Sequence, residues 1–148
     1  MIILTVTFFG HRNAPSNIRP SLKTVIADLI EHHQATLFYV GNQGAFDRMV
    51  QGVLYELKTD YPQIRYYIVL AYLPNERSNG PDPALTIYPD GLETTPRKFA
   101  ISKRNRWMVE RADAVVTYVF RPFGGAAQFK ALAEKKKKQI IELWNADQ

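Results

Sequence analysis

The chain contains no cysteine among its 148 residues. This absence excludes a disulfide-stapled scaffold, a metal site built from thiolates and a cysteine nucleophile. It is typical of proteins in the reducing cytoplasm, and we expect that location here. Long apolar runs are missing too, because the longest are only of strand length, so no membrane-spanning helix is predicted. Met1 leads directly into Ile2, Ile3 and Leu4, which does not predict a secretory signal.

Familiar catalytic and cofactor motifs are also missing. The sequence contains no GxGxxG fingerprint, no Walker P-loop, no HExxH zinc motif, no EF-hand loop and no GxSxG nucleophile elbow. His32 and His33 are adjacent in sequence, and adjacent residues do not share a helix face, so the pair is not expected to chelate a metal. We therefore expect no metal site and no obligatory cofactor.

Positive charge exceeds negative charge, with 19 lysines and arginines against 14 aspartates and glutamates, for a net charge of +5. The densest cluster is the run from Lys135 to Lys138. A basic balance favours partners that carry phosphate, from nucleotides to nucleic acid. A lysine run is equally typical of the solvated end of a helix. The charge therefore restricts the class of partner without identifying it.

Apolar segments of strand length alternate with amphipathic helical segments along the whole chain. Strands are predicted at 2–9, 36–40, 64–70, 114–120 and 139–143, and helices at about 16–33, 47–58, 97–111 and 125–137. This alternation predicts one α/β domain over residues 1–148, with a parallel five-stranded sheet between two layers of helices. The first strand is apolar along most of its length, as a central strand must be, so we expect the order 3-2-1-4-5. The proline-rich segment 72–96 is predicted to be a long loop.

Three glycine-bearing turns each follow a predicted strand and lead into a helix. They are Gly10-His11-Arg12, the stretch from Gly41 through Asn42, Gln43 and Gly44 to Asp47, and Gly124-Gly125-Ala126. The carboxyl ends of parallel strands lie at one rim of a sheet, where ligands bind. A helix N-terminus offers free N–H groups and partial positive charge to a phosphate. The sequence therefore predicts a single phosphate-accepting pocket at this rim.

Charged side chains near these turns extend the prediction. Arg12 has the planar fork that matches phosphate, and His11 could donate, accept or shuttle a proton. Arg104, in the third predicted helix, could reach over the pocket from its side, and so could Asn105 and Arg111 of the same helix. The alternative for each is a polar residue that simply meets water. Because His11 and Arg12 follow the central strand, we favour the binding role.

The second turn carries further hydrogen-bonding groups. Asn42 and Gln43 could bind a ribose or a base, and backbone N–H groups around them could bind phosphate. Asp47 could bind ribose hydroxyls, or it could only cap its helix. The sequence leaves both roles of Asp47 open.

The order of the motifs resembles a known family. FFGHR after the first strand, FYVGNQGAFD around the second, RNRWMVERADAVVTYV before and through the fourth, and the GGAA helix start are similar to the YpsA-type group of bacterial proteins. That group belongs to the SLOG superfamily, named for its DprA and LOG relatives. The resemblance covers nearly the whole chain. It implies a Rossmann-like fold and a pocket for a nucleotide or nucleotide derivative.

The chain departs from the LOG enzymes where their catalysis occurs. Those phosphoribohydrolases carry a PGGxGTxxE motif whose Glu acts on the nucleotide. Here Phe123 precedes the glycines, Ala127 and Gln128 replace the Gly-Thr pair, and Ala131 stands at the Glu position. The departure argues against LOG chemistry and leaves the catalytic residues, if the chain is an enzyme, unknown.

The sequence therefore favours a domain that binds a nucleotide or a related phosphorylated small molecule. One alternative is an enzyme that cleaves an N-glycosidic bond, with Asp47 or His11 in the catalytic role. Another is a binder of single-stranded nucleic acid, which the sequence disfavours because the strands show no regular aromatic platform. No membrane partner is expected, and self-association into a homo-oligomer stays open.

Overall fold

The fold is described from a computed structural model, which describes residues 2–74, 82 and 85–144. Its strands are β1 (Thr5–Gly10), β2 (Leu37–Val40), β3 (Arg65–Val69), β4 (Thr86–Ile87), β5 (Ala114–Tyr118) and β6 (Gln139–Glu142). They form one six-stranded sheet in the order β4-β3-β2-β1-β5-β6, and every neighbouring pair is parallel. The helices are α1 (Arg19–His33), α2 (Gly44–Asp60), α3 (Ala100–Arg111) and α4 (Gly125–Lys135).

The predicted parallel α/β architecture is confirmed, with β1 in the centre between β2 and β5. The five predicted strands stand in the expected order, but a sixth strand, β4, extends the edge beside β3. It lies inside the segment 72–96 that was predicted to be only a loop, of which 75–81 and 83–84 fall outside the described residues. A two-residue strand shows no periodicity, so only its pairing reveals it; Leu70 N–H donates to Ile87 O at 2.8 Å.

Side chains alternate between the two faces of the sheet, as strand geometry requires. On β1, Val6 and Phe8 join the core under α1 and α2. Phe9 points the other way and stacks on Phe129 of α4, with ring centroids 5.7 Å apart. The sheet is thus covered on both faces, which explains the nearly continuous apolar pattern of its central strands. Within the described ranges, no helix is long and apolar enough to cross a membrane.

The amino ends of the two central strands are tied together by Asp113. Its carboxylate accepts hydrogen bonds from the N–H groups of Leu4 and Thr5, at 3.1 and 3.0 Å. Its own N–H donates to Thr5 O at 2.8 Å. This fixes the register in which Gly10 pairs with Tyr118 at the carboxyl ends. The turns that follow β1 and β5 therefore begin side by side.

The start of α2 packs directly against the end of β1. A Cβ atom on Gly10 would clash with the ring of the fully buried Phe46. α2 begins at Gly44, one turn earlier than predicted, with φ of 87°. A Cβ atom on Gly44 would lie 2.9 Å from the Cα atom of Arg12, and Ala45 N–H donates to Arg12 O at 2.8 Å. Both glycines thus allow two loops to dock closely.

We predict that Gly10→Ala lowers the free energy of unfolding by about 1–3 kcal/mol, the usual cost of overpacking a tight core. Gly52→Ala is the matched control, because a Cβ atom there has its nearest neighbour, Arg19 Nη2, at 3.9 Å. In the middle of α2 this change should stabilise the protein by about 0.5–1 kcal/mol. Urea unfolding followed by circular dichroism measures both. Equal stability of Gly10→Ala and the wild type would contradict the packing described for Phe46.

Candidate functional site

A cavity of about 460 Å³ opens at the carboxyl ends of β1 and β5. Of the residues predicted from sequence, it is lined by Gly10, His11, Arg12, Gln43, Asp47, Arg104, Gly124, Gly125 and Ala126. Asn105 lines it as well, whereas Arg111 does not. Residues that the sequence analysis did not assign to the site also line it, namely Phe8, Phe9, Ile101, Met108 and Arg121. The first and third glycine turns therefore meet in one cavity at the rim of the sheet.

The remaining predicted residues, Gly41, Asn42 and Gly44, do not line the cavity. A Cβ atom on Gly41 would lie 2.7 Å from Asp47 Oδ2 and 3.1 Å from the Arg104 guanidinium, so this glycine makes room for two buried charged side chains. Asn42 is exposed, and its Oδ1 accepts a hydrogen bond from Gln51 at 3.2 Å. The second turn therefore shapes the wall of the cavity and contributes Gln43 and Asp47 to its surface.

The Gly124-Gly125 turn differs from the other glycine turns because it faces open space. A Cβ atom on either residue would meet nothing within 4 Å. Gly124 has φ of 97°, and no side chain caps the start of α4. The first N–H groups of a helix have no partner within the helix. The start of α4 thus presents free donors to the cavity, which is the arrangement that binds anions.

Arg104 is the most deeply buried charged residue of the site, with 2% of its surface exposed. Its Nε donates to Asn105 Oδ1 at 2.7 Å, its Nη1 to Val69 O at 2.7 Å and its Nη2 to Gln43 Oε1 at 2.5 Å. All three acceptors are uncharged. Burial lowers the pKa of Arg104, although nearby Asp47 opposes this. Each nitrogen is already engaged, so Arg104 acts on the cavity mainly through its charge.

Asp47 is 9% exposed and lies beside Arg104 at the second turn. Burial raises its pKa to about 6, and the hydrogen bond from Gln43 N–H together with Arg104, Arg12 and Arg48 limits the rise. The Gln43 N–H group donates to Asp47 Oδ2 at 2.9 Å, and Gln43 is the residue preceding α2. Asp47 is therefore not the N-cap itself but binds the backbone of the N-cap residue.

His11 is buried and holds the loop after β5 in place. Its Nε2 accepts a hydrogen bond from Phe120 N–H at 3.1 Å, and its ring meets the Phe120 ring edge-on at 4.4 Å. Burial, followed by the charge of Arg121, lowers the pKa of His11. Because Nε2 is an acceptor in this contact, the imidazole is neutral there. A proton shuttle through Nε2 would first have to break this bond.

Arg121 is the cation that the sequence analysis missed. Its Nε is buried without a hydrogen-bond partner among the described residues. Its guanidinium lies 5.3 Å from the Phe120 ring and 5.4 Å from the Phe123 ring, and Phe123 is 67% exposed. The sequence contained a signal for Arg121. It follows β5 as Arg12 follows β1, and both strands end at the same rim.

The charges of the cavity are unbalanced. Arg12, Arg104 and Arg121 face one carboxyl group, Asp47, whose pKa is already raised to about 6. No cluster of potential metal ligands exists within the described part of the chain. Ala131, at the position of the LOG glutamate, is exposed on α4 and does not line this cavity. The arrangement can accept an anion, and its best-placed donors surround the start of α4.

We predict that Asp47→Asn removes a pH-dependent loss of stability. The folded protein binds the Asp47 proton more tightly than the unfolded chain does, so protonation of Asp47 stabilises the fold. This stabilisation is fully present below the ordinary pKa of 3.8 and is lost as the pH rises through about 6. The difference between the two pKa values corresponds to about 3 kcal/mol. The advantage of Asp47→Asn over the wild type should therefore grow by up to that amount between pH 4 and 7.

Urea unfolding at several pH values measures this advantage. Asp90→Asn, at an exposed carboxyl, is the control for removing one negative charge. A constant difference between Asp47→Asn and the wild type over the whole range would show that burial does not perturb Asp47 as described.

No family model matches the sequence, and no curated protein matches it either. Solved structures do match the fold, among them two structures of the same bacterial protein. DNA processing protein A (DprA) from Streptococcus pneumoniae superposes with a TM-score of 0.69 at 15% identity, over 94% of this chain and 50% of that one. DprA from Helicobacter pylori, whose structure concerns its single-stranded DNA binding mode, superposes with a TM-score of 0.61 at 16% identity, over 94% of this chain and 64% of that one.

This chain thus spans half the length of the pneumococcal protein and about two thirds of the other. Identities this low establish the fold alone. The expectation of a Rossmann-like domain is confirmed at that level: the chain has the fold of the matched part of DNA processing protein A.

Proposed function

We propose that this domain binds single-stranded nucleic acid, with one phosphate at the start of α4 and an adjacent base on Phe123. The observation that carries the proposal is the open space in front of Gly124 and Gly125, beside the buried and unpaired Nε of Arg121. The positive φ of Gly124 by itself favours glycine there. At Gly125, however, φ is not positive and a Cβ atom would touch nothing, so neither backbone conformation nor packing requires glycine. A ligand that approaches the backbone closely does account for it.

The phosphate has three sources of stabilisation. The free N–H groups of α4 and its dipole attract negative charge. Arg121 offers a buried Nε–H that has no protein acceptor among the described residues. Arg12 lines the same cavity with its exposed side chain, and its role as a phosphate anchor remains part of the proposal. Hydrogen bonds between charged groups of this kind contribute about 1.5–3 kcal/mol each.

A base has a stacking surface next to this phosphate. Phe123 is 67% exposed and directly precedes the two glycines. Arg121 lies 5.4 Å from its ring, so the cation and the aromatic surface are adjacent. Base stacking on an aromatic side chain contributes about 1–3 kcal/mol and tolerates any sequence. The pair therefore favours an unpaired nucleotide over a phosphate alone.

The comparison supports a nucleic-acid partner. A structure with the same fold, DprA from Helicobacter pylori, has a single-stranded DNA binding mode. The net charge of +5 suits a phosphate backbone. Membership in the YpsA-type group of the SLOG superfamily is part of this proposal too and rests on the order of the sequence motifs.

A second candidate is a free nucleotide or another nucleotide-derived phosphorylated small molecule. The observation that favours it is the cavity of about 460 Å³, which lies within the range of small-ligand pockets. The same phosphate site serves both candidates. They differ in whether affinity rises with the number of nucleotides.

We expect Gly125→Ala to weaken binding of fluorescein-labelled oligo-dT by about 1.5–3 kcal/mol, because the new Cβ atom occupies the place of the phosphate. The fold should tolerate the change, since the position faces open space and has no positive φ. Fluorescence anisotropy gives the affinity and thermal unfolding gives the stability. Gly52→Ala is again the control, because it adds the same methyl group to α2, remote from the cavity.

The length of the ligand separates the two candidates. For a strand binder, affinity should rise from dT1 to dT12, and unlabelled AMP should compete poorly with dT12. If AMP competes as well as dT12 does, the small-molecule candidate replaces the strand binder. Unchanged affinity of Gly125→Ala for both ligands would overturn the phosphate site itself.

A further inference from the structure

The helices of the described chain leave one face of the sheet partly open. On the side of α3 and α4, α3 packs on β1, while α4 packs on β1, β5 and β6. β2 and β3 are packed by α2, which lies on the other face with α1. On the open side, alternation places Leu37 and Tyr39 of β2 opposite Arg65 and Tyr67 of β3. This part of the sheet therefore presents side chains that no helix of the described chain covers extensively.

These side chains form a chain of aromatic contacts that ends on an arginine. The rings of Tyr67 and Tyr39 lie 6.4 Å apart, and the Tyr39 ring meets the Trp107 ring edge-on at 5.0 Å. The Arg111 guanidinium lies 3.9 Å above the Trp107 ring. The three rings are half-buried, whereas Arg65 and Arg111 are exposed. We call Tyr39, Tyr67, Trp107, Arg65 and Arg111 the aromatic–arginine face.

We propose that the aromatic–arginine face is a second contact surface for single-stranded nucleic acid, on which bases stack while Arg65 and Arg111 bind phosphates. The inference rests on the proposed function and extends it to residues that do not line the cavity. Aromatic rings interleaved with cations are the combination that binds unpaired strands without sequence preference. A duplex does not fit, because its bases are already stacked on each other and cannot reach the rings.

The charges on this face favour a polyanion over a protein partner. Neither Arg65 nor Arg111 forms an ion pair with another described residue. Arg111 donates from Nη1 to Trp107 O at 3.1 Å, which places its guanidinium over the ring and leaves its other donors toward solvent. The carboxylates nearest to Arg111 in sequence are Glu110 and Asp113, and neither forms an ion pair with it among the described residues. Asp113 is engaged with the N–H groups of Leu4 and Thr5.

Helix α3 connects the two surfaces. Arg104 lines the cavity, and Trp107 and Arg111 follow it by about one and two helical turns. Arg104 also donates to Val69 O, and Val69 lies on the same face of β3 as Tyr67, two residues away. Helix α3 therefore contributes residues both to the cavity and to the aromatic–arginine face.

The test compares Tyr67→Ala with Tyr55→Ala, which removes the same ring from the exposed side of α2, where it is 73% accessible. For a long strand such as dT20, Tyr67→Ala should lower the affinity by about 5- to 150-fold, the effect of losing one stacked base. Tyr55→Ala should leave it unchanged. Mononucleotide binding at the cavity should be unaffected by either variant, which separates this face from the phosphate site.

Two further readouts detect contact directly. In the Trp144→Phe background, Trp107 is the single tryptophan of the chain, and dT20 should quench its fluorescence whereas a mononucleotide should not. Arg111→Gln should reduce the slope of log affinity against log salt by about 0.7, the value for one phosphate contact on a single strand. A role in folding alone would move neither readout.

The outcomes distinguish the two proposals. If dT20 binding falls with Gly125→Ala but not with Tyr67→Ala, and Trp107 fluorescence does not respond, the aromatic–arginine face is not a contact surface and the proposed function stands. If the wild type binds neither dT20 nor a mononucleotide, both proposals are overturned.

Discussion

The buried guanidinium of Arg104 is the contact on which the carboxyl rim depends. It joins three separate parts of the chain, through Asn105 on α3, Val69 at the end of β3 and Gln43 before α2. Without one of these acceptors, a buried N–H group would lose its partner, which costs about 1–3 kcal/mol or more for a charged group. The position of α3 relative to the sheet is therefore fixed by a polar contact as much as by apolar packing. Gly41 makes this contact sterically possible.

The same contact determines the electrostatics of the cavity. Three uncharged oxygens accept hydrogen bonds from Arg104 without neutralising its positive charge. The pKa of the neighbouring Asp47 is raised to about 6. The cavity thus keeps positive charge while its wall stays rigid. Charge held in a dry, fixed wall attracts an anion without requiring reorganisation. In the proposed function, direct contacts with the phosphate fall to the start of α4, to Arg12 and to Arg121, whose Nε has no acceptor among the described residues.

Much of the fold was predictable because local patterns report it. The alternation of apolar strands and amphipathic helices gave the parallel sheet, and the apolar length of β1 placed it in the centre. β4 was not predictable, because two residues have no period and their pairing with β3 is long-range. The roles of the glycines also required the structure. Gly10 accommodates Phe46, whereas Gly125 faces open space, and nothing in the local sequence separates these two cases.

The sequence by itself determined the layers, the strand order and the rim at which His11, Arg12 and the Gly124 turn would meet, since hydrophobic period and turn chemistry are local properties. Tertiary structure alone decided which groups are buried, and it thereby raises the pKa of Asp47 and engages the Nε2 of His11 in a hydrogen bond. It also assembled Tyr39, Tyr67 and Trp107 into contact, although no single strand carries a regular aromatic pattern. Such properties depend on neighbours that are distant along the chain, so only the packed structure specifies them.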